Sequence, residues 1–342
     1  MTDSLEDFRL NYTDLVDQRV GGKALATSDD WFAECENLVN HDGPIFRPGH
    51  FVTTGQWMDG WESRRSFGRR RRDQAGVDHD WCILRLGIPG IIHGVDIETT
   101  HFTGNAPEYA SLEGAWVDGS LSTDMQWFEL LPKSTTDSDD HNFFKIDDPR
   151  PCTHLRLKIY PDGGVARLRA WGSPKLLKEN YVVGELVDLA SVMIGARGQQ
   201  CSDKFYSSPS NLLMPNPGAN MGDGWETRRR RDNGNDWCVI KLGVAGTIRK
   251  VILDTAHFKG NYPESFSLEA TLSASKDLQP EQVSWQTIIA NTPLQADQLH
   301  LYIKQILATS EQQFSHVRLN IFPDGGVSRI RIFGTPDWAA AH

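Results

Sequence analysis

Polar and apolar positions alternate over short stretches along most of the chain. Between residues 81 and 86, Cys82, Leu84 and Leu86 fall on one side and Arg85 on the other. That is the period of two shown by a strand with one face on a core. His154 to Ile159 repeats it, with Leu155, Leu157 and Ile159 opposite Arg156 and Lys158. From Val165 to Trp171, Ala166, Leu168 and Ala170 share a face and Arg167 and Arg169 take the other. Pro161-Asp162-Gly163-Gly164 lies between these last two stretches. A fixed φ followed by residues tolerant of positive φ predicts a hairpin turn there. Residues 181–192 fit a short strand or a helical turn. Short alternating strands between Gly/Pro turns, with few helical stretches, predict an all-β protein of antiparallel sandwiches.

The chain also repeats itself. Asp59-Gly60-Trp61-Glu62-Ser63-Arg64-Arg65 returns as Asp223-Gly224-Trp225-Glu226-Thr227-Arg228-Arg229. Asp80-Trp81-Cys82 returns as Asp236-Trp237-Cys238, and His101-Phe102-Thr103-Gly104-Asn105 as His257-Phe258-Lys259-Gly260-Asn261. Tyr160-Pro161-Asp162-Gly163-Gly164-Val165 returns as Phe322-Pro323-Asp324-Gly325-Gly326-Val327. Motifs recurring in one order indicate a duplicated domain. The expected division is an N-terminal segment 1–20, a first repeat 21–174, a linker 175–189 and a second repeat 190–342. Repeat one carries an extra basic loop around Ser66 to Asp73, with Arg69 to Arg72.

The formal charge of −10 argues against wholesale attraction to nucleic acid or an anionic membrane. No apolar run approaches the roughly 20 residues that span a bilayer. Met1 to Arg9 is polar and acidic and does not read as an export signal. Five cysteines without a close pair argue against a disulfide framework or zinc knuckle. A reduced cytoplasmic protein is the expectation.

In an acidic chain, the clustered arginines need a reason. A carboxylate, an indole and two guanidinium groups within Asp-Gly-Trp-Glu-x-Arg-Arg can grip a small polar anion. Arginine offers a carboxylate a bidentate fork, and glutamate accepts from amide-type N–H groups. The competing reading is a loop ion pair with its tryptophan packed on the core. His101 and His257, each placed at a strand end before a Gly-Asn loop, are candidates for proton transfer or for ordinary structural hydrogen bonds. Arg167 and Arg329 belong either to a solvated strand face or to a site rim. The scattered histidines predict no protein-built metal site, and Cys82 and Cys238 read as buried core thiols.

Together these motifs resemble the allantoicase family, over nearly the whole chain from Asp29-Asp30-Trp31-Phe32 to Phe333-Gly334. The resemblance implies two jelly-roll domains of galactose-binding-like topology. It also implies hydrolysis of allantoate to ureidoglycolate and urea in purine breakdown, by a cytoplasmic homo-oligomer; from the residues themselves no cofactor is expected. On that reading Glu62, His101, Glu226 and His257 are the candidate catalytic residues. Arg64, Arg65, Asn105, Arg167, Arg228, Arg229, Asn261 and Arg329 are the candidate substrate-binding residues. A non-catalytic tandem sandwich that binds carbohydrate or another small ligand is the alternative, and one composite site or two stays open.

Overall fold

A computed structural model describes residues 5–64, 77–117, 119, 125–275, 278–309 and 311–339. The chain divides into two compact units, Met1–Lys175 and Leu176–His342. In the first, a short helix α1 (Leu5–Asn11) precedes β1 (Thr13–Asp14), β2 (Lys23–Thr27), β3 (Phe51–Val52), β4 (Gly55–Gln56) and β5 (Trp61–Glu62). There follow β6 (Asp80–Glu98), β7 (Tyr109–Ala115), β8 (Phe128–Thr135), β9 (His141–Lys145), β10 (Cys152–Tyr160), β11 (Gly164–Val165) and β12 (Arg167–Pro174). The second unit begins with β13 (Val187–Asp188), β14 (Arg197–Cys201), β15 (Trp225–Glu226), β16 (Asp236–Thr247), β17 (Lys250–Asp254) and β18 (Ser265–Thr271). It ends with β19 (Gln286–Pro293), β20 (Leu299–Tyr302), β21 (Gln313–Phe322), β22 (Gly326–Val327) and β23 (Arg329–Gly334).

Each unit is an antiparallel sandwich. In the second, β14-β16-β21-β18-β19 faces β13-β23-β17-β20. In the first, the 19-residue β6 runs through both layers. Its first half pairs with β2 and β10, and its second half with β9 and β12. Repeat two breaks the same strand between Thr247 and Lys250. The alternating apolar residues form the core: Cys82, Leu84, Leu155, Leu157, Ile159, Leu168 and their repeat-two counterparts Cys238 and Ile240 are fully buried. Each such aliphatic side chain contributes about 1.5–3 kcal/mol. Burial pushes the Cys238 thiol far above its ordinary range, as expected of an inert core cysteine. No described helix is long and apolar enough to cross a membrane.

The layers correct three sequence expectations. Pro161-Asp162-Gly163-Gly164 is a crossover and no hairpin, because β10 pairs with β6 and β7 whereas β12 pairs with β6 and β1. Turn chemistry announces a chain reversal without saying which strands then pair. The face of β12 holding Arg167 is covered, since that side chain is fully buried. The sheet also starts before Gly21, with β1 on the edge of β12; two residues show no period. Residues 181–192 contain β13 and one turn of 3-10 helix, Val192–Ile194.

Candidate active site

The site is built first from β5 and β15. Trp61 and Trp225 are fully buried, and each indole Nε1 donates to a backbone carbonyl, of Asp29 or Asp203, at 2.9 Å. With tryptophan fixed inward, alternation turns the next residue, Glu62 or Glu226, away from the core. β5 pairs with β11 and β15 with β22, placing Glu62 opposite Gly164 and Glu226 opposite Gly326. The Gly164 and Gly326 amides donate to the carbonyls of Asn105 and Asn261, both at 2.8 Å. The side chains then meet: Asn105 Nδ2 donates to Glu62 Oε1 at 2.8 Å, and Asn261 Nδ2 to Glu226 Oε1 at 2.5 Å. Two distant motifs therefore converge on one carboxylate–amide pair in each repeat. Glu226 Oε2 has no hydrogen-bond partner among the described residues. The crossover glycines make this approach possible. Gly163 has φ +133° and Gly325 φ +126°, and a Cβ on either would stand 2.5 Å from the asparagine carbonyl.

The buried arginines lie behind this pair. Arg167 Nε donates to Asp42 O at 2.9 Å. Its other nitrogens reach Asp59 O, Ala166 O and Asp59 Oδ2 at 3.0, 2.8 and 2.9 Å. Arg329 repeats this on Asn216 O and Asp223 Oδ2, both at 2.7 Å. Each guanidinium thus pins the loop that enters the Asp-Gly-Trp-Glu motif. The histidines pin the same loops. His101 Nε2 lies 3.2 Å from Pro44 O and His257 Nε2 2.7 Å from Gly218 O. A carbonyl only accepts, so Nε2 carries the proton in both. Both histidines have positive φ, 72° and 73°, and the backbone N–H donates at 2.7 Å to Asp139 or Asp297.

The arginines after the glutamate separate into held and open. Arg64 is gripped by Asp29, with Nη2 to Oδ1 at 2.6 Å, and lies over the Trp31 ring at 4.7 Å. Arg228 Nε reaches Asp203 at 3.1 Å, with its side chain 62% exposed. Arg230, which sequence reasoning did not single out, bridges Asp232 and Asp236 at 2.8 Å each. Arg229 is exposed and makes no hydrogen bond or ion pair among the described residues. Arg65 and the basic insertion 66–73 lie outside the described residues.

Two features of repeat one were missed in the sequence. A cleft of about 870 Å³ opens beside β5, with Trp31, Phe32, Glu36, Trp57 and Met58 among its walls. Ala33, also in its lining, forms a β-bridge to Glu62. At that wall Asp30, Cys35 and Glu36 bring one potential metal-ligand atom each within 4.8 Å of one another, a grouping spread over seven residues without a recognisable ligand spacing. Asp96 is fully buried with its Oδ2 2.7 Å from His141 Nδ1, and burial raises its pKa. A carboxylate on a covered strand face and a histidine 45 residues later leave no local signal.

A model of the allantoicase repeat matches residues 13–175 and again residues 187–337. The chain belongs to the allantoicase family. The allantoicase of Dictyostelium discoideum is 43% identical over 328 residues, 93% of this chain and 86% of that protein. A probable allantoicase of Pseudomonas aeruginosa is 43% identical over 330 residues, 95% of this chain and 96% of its own length. The crystal structure of the allantoicase from Saccharomyces cerevisiae matches with a TM-score of 0.79 at 33% identity, covering 97% of this chain and 98% of that one.

Proposed function

We infer that the chain is a hydrolase of C–N bonds in linear amidines that converts allantoate and water to ureidoglycolate and urea. The full-length kinship with named allantoicases carries this reading. The geometry supports it with the twice-built Glu–Asn pair beside an arginine loop. Allantoate bears one carboxylate and two ureido groups on a single carbon. The open Arg229 is proposed to take the carboxylate, with Arg228 at the rim. Glu62 and Glu226 then accept ureido N–H groups and carry the proton of the reaction. Asn105 and Asn261 each hold Oε1 of their glutamate, and in Glu226 this leaves Oε2 to face the substrate.

In the proposed course, the nitrogen lone pair of one ureido group expels the other as urea, whose nitrogen takes up a proton. Water then adds to the resulting C=N carbon and loses a proton to the glutamate, giving ureidoglycolate. General acid–base groups of this kind contribute about 10²–10⁴-fold. Arg167, Arg329, His101 and His257, whose polar atoms already hold the surrounding loops, are proposed to act by positioning. We further propose a homo-oligomer that works in the cytoplasm without nucleic acid. The charge of −10 supports the absence of a nucleic-acid partner, and the five free cysteines support a reducing compartment.

The test is urea release from allantoate by purified, chelator-treated protein, with the Glu62→Gln/Glu226→Gln double variant beside it. The wild type should release urea and ureidoglycolate in equal amounts, and the folded double variant should lose about 10²-fold or more in kcat. No urea from the wild type refutes the activity; full turnover by the double variant refutes the glutamates' role.

A further inference from the structure

Between Asn37 and Asp59 the first repeat carries ten more residues than the second carries between Asn211 and Asp223. Both asparagines donate to matching glycine carbonyls, of Gly60 and Gly224, so the loop ends are equivalent and the surplus is an insertion. It folds into the β3–β4 hairpin, with Phe51 opposite Gln56 and Val52 opposite Gly55. Among the described residues no strand lies between Asn211 and Asp223. Val52 and Trp57 of the insertion line the cleft of about 870 Å³ together with Asp30, Trp31, Glu34 and Glu36. No lysine, arginine or histidine is among its described walls. Glu34 and Glu36 are exposed. In repeat two the three carboxylates give way to Lys204, Ser208 and Ser210, so the hairpin and the acidity belong to repeat one together.

We propose that this cleft binds a planar organic cation of the guanidinium or amidinium class, at a site separate from the Glu62–Asn105 pair. Three carboxylates without a basic residue among them repel an anion such as allantoate and attract a cation. Indole faces favour a cation that sheds its water readily. Guanidinium does so, and its flat fork of N–H donors also suits a carboxylate. The chain makes the same contact with its own side chains on both tryptophans. Arg64 lies over the Trp31 ring at 4.7 Å while Asp29 takes its Nε and Nη2 at 3.0 and 2.6 Å, and Arg47 lies over the Trp57 ring at 5.0 Å. A ring has two faces, and Trp31, 55% exposed, keeps apolar surface for a second cation. A metal ion gains little from indole walls. Cys35, the third donor near Asp30 and Glu36, is 4% exposed and gives its S–H to Glu36 Oε2 at 3.6 Å. The volume is that of a small-molecule site. A ligand seated here rests on the segment paired with β5, because the Phe32 and Ala33 amides donate to Glu62 O at 3.2 and 3.4 Å and the Glu62 amide donates to Ala33 O at 3.0 Å.

The experiment is isothermal titration calorimetry of the full chain with butylguanidinium and with its uncharged isostere butylurea, at low ionic strength. Butylguanidinium should bind with a Kd of about 1 mM or tighter, and butylurea about tenfold or more weakly, the factor carried by a charge-assisted hydrogen bond. Glu34→Gln/Glu36→Gln should weaken butylguanidinium about tenfold or more. Both side chains are exposed, and circular dichroism verifies the fold. Glu179→Gln/Glu281→Gln, at exposed carboxylates elsewhere, changes the net charge equally and should leave binding unaltered. Val52→Arg, which puts a cation on a wall residue 41% exposed, should abolish binding and serves if the double glutamine variant misfolds. A wild type that takes up no butylguanidinium overturns the site, and equal affinity for butylurea overturns the class of ligand. Binding that survives both Glu34→Gln/Glu36→Gln and Val52→Arg overturns the location. Complete displacement by equimolar Mg²⁺ or Zn²⁺ identifies an inorganic cation site and overturns the proposal.

Discussion

Arg167→Met separates a guanidinium that binds substrate from one that holds the fold. Methionine keeps most of the side-chain volume but deletes every N–H that now reaches Asp42, Asp59 and Ala166. The partner carboxylate, Asp59, is only 10% exposed at its side chain. Removing one member of a buried pair costs about 3–5 kcal/mol, because the other charge stays desolvated. Here one donor remains to Asp59, the Ile45 amide at 2.9 Å, which places the expectation near the lower bound, about 3 kcal/mol. Asp59→Asn in the same chain should recover part of that loss, since it removes the stranded charge. The assay is equilibrium denaturation followed by tryptophan fluorescence. Two units can unfold in separate steps, so Arg329→Met, which strikes the other repeat, identifies which transition belongs to which. If Arg167→Met leaves both midpoints within about 1 kcal/mol of wild type and raises KM more than about tenfold, the guanidinium binds substrate and the reasoning fails.

Arg229→Ala should raise KM by about tenfold or more with the fold intact, since it deletes an exposed charge-assisted contact of about 1.5–3 kcal/mol; unchanged kinetics would remove it from the site. Gly163→Ala should lower thermal stability by about 1–3 kcal/mol, because φ +133° and the 2.5 Å approach to Asn105 O both exclude a Cβ; an unchanged melting temperature would contradict the geometry. His316, 1% exposed, has its pKa pushed from 6.5 down to about 4 by burial, then by Lys241 and Arg197. The folded state thus favours the neutral ring, so its contribution is complete above pH 6.5 and is lost as pH falls from there to 4, about 3 kcal/mol in all. His316→Asn should flatten the melting temperature over that window, and an unaltered acid slope would refute the assignment.

The strands were legible because their faces differ in polarity: Cys82, Leu84 and Leu86 announce β6 by themselves. The pairing of those strands was not. Nothing local distinguishes a hairpin at Pro161 from a crossover, and nothing in β12 shows that a loop more than 100 residues earlier in the chain covers Arg167. The site was legible in part for the same reason. Glu62 and Asn105 stood out by recurring, but their contact spans 43 residues and follows from β5 pairing with β11. Asp59 and Asp223 sat in the quoted motif without an assigned role, although they are the counter-ions of the buried arginines. Asp29 and Asp203, each after a serine in both copies, offered the same recurrence signal and went unread.

Recurrence between the copies therefore has two sources, and exposure divides them. Trp61 and Trp225, Arg167 and Arg329, and Asp59 and Asp223 recur because each copy needs the same loop held in the same way; they are buried or nearly so and bonded within the repeat. Glu62 and Glu226 recur while remaining half-buried, with an asparagine from a second motif spent on orienting them. A fold has little use for an oriented carboxylate at a loop end, since solvating it is cheaper than aiming it. Where the copies differ, the direction is also informative. Asp30, Glu34 and Glu36 stand in repeat one where Lys204, Ser208 and Ser210 stand in repeat two, although Asn37 and Asn211 still donate to the matching glycine carbonyls, of Gly60 and Gly224. The scaffold of that loop has been kept while its charge has reversed. The two copies thus hold their glutamates by one device and surround them with different electrostatics, so the variants Glu62→Gln and Glu226→Gln need not cost the same.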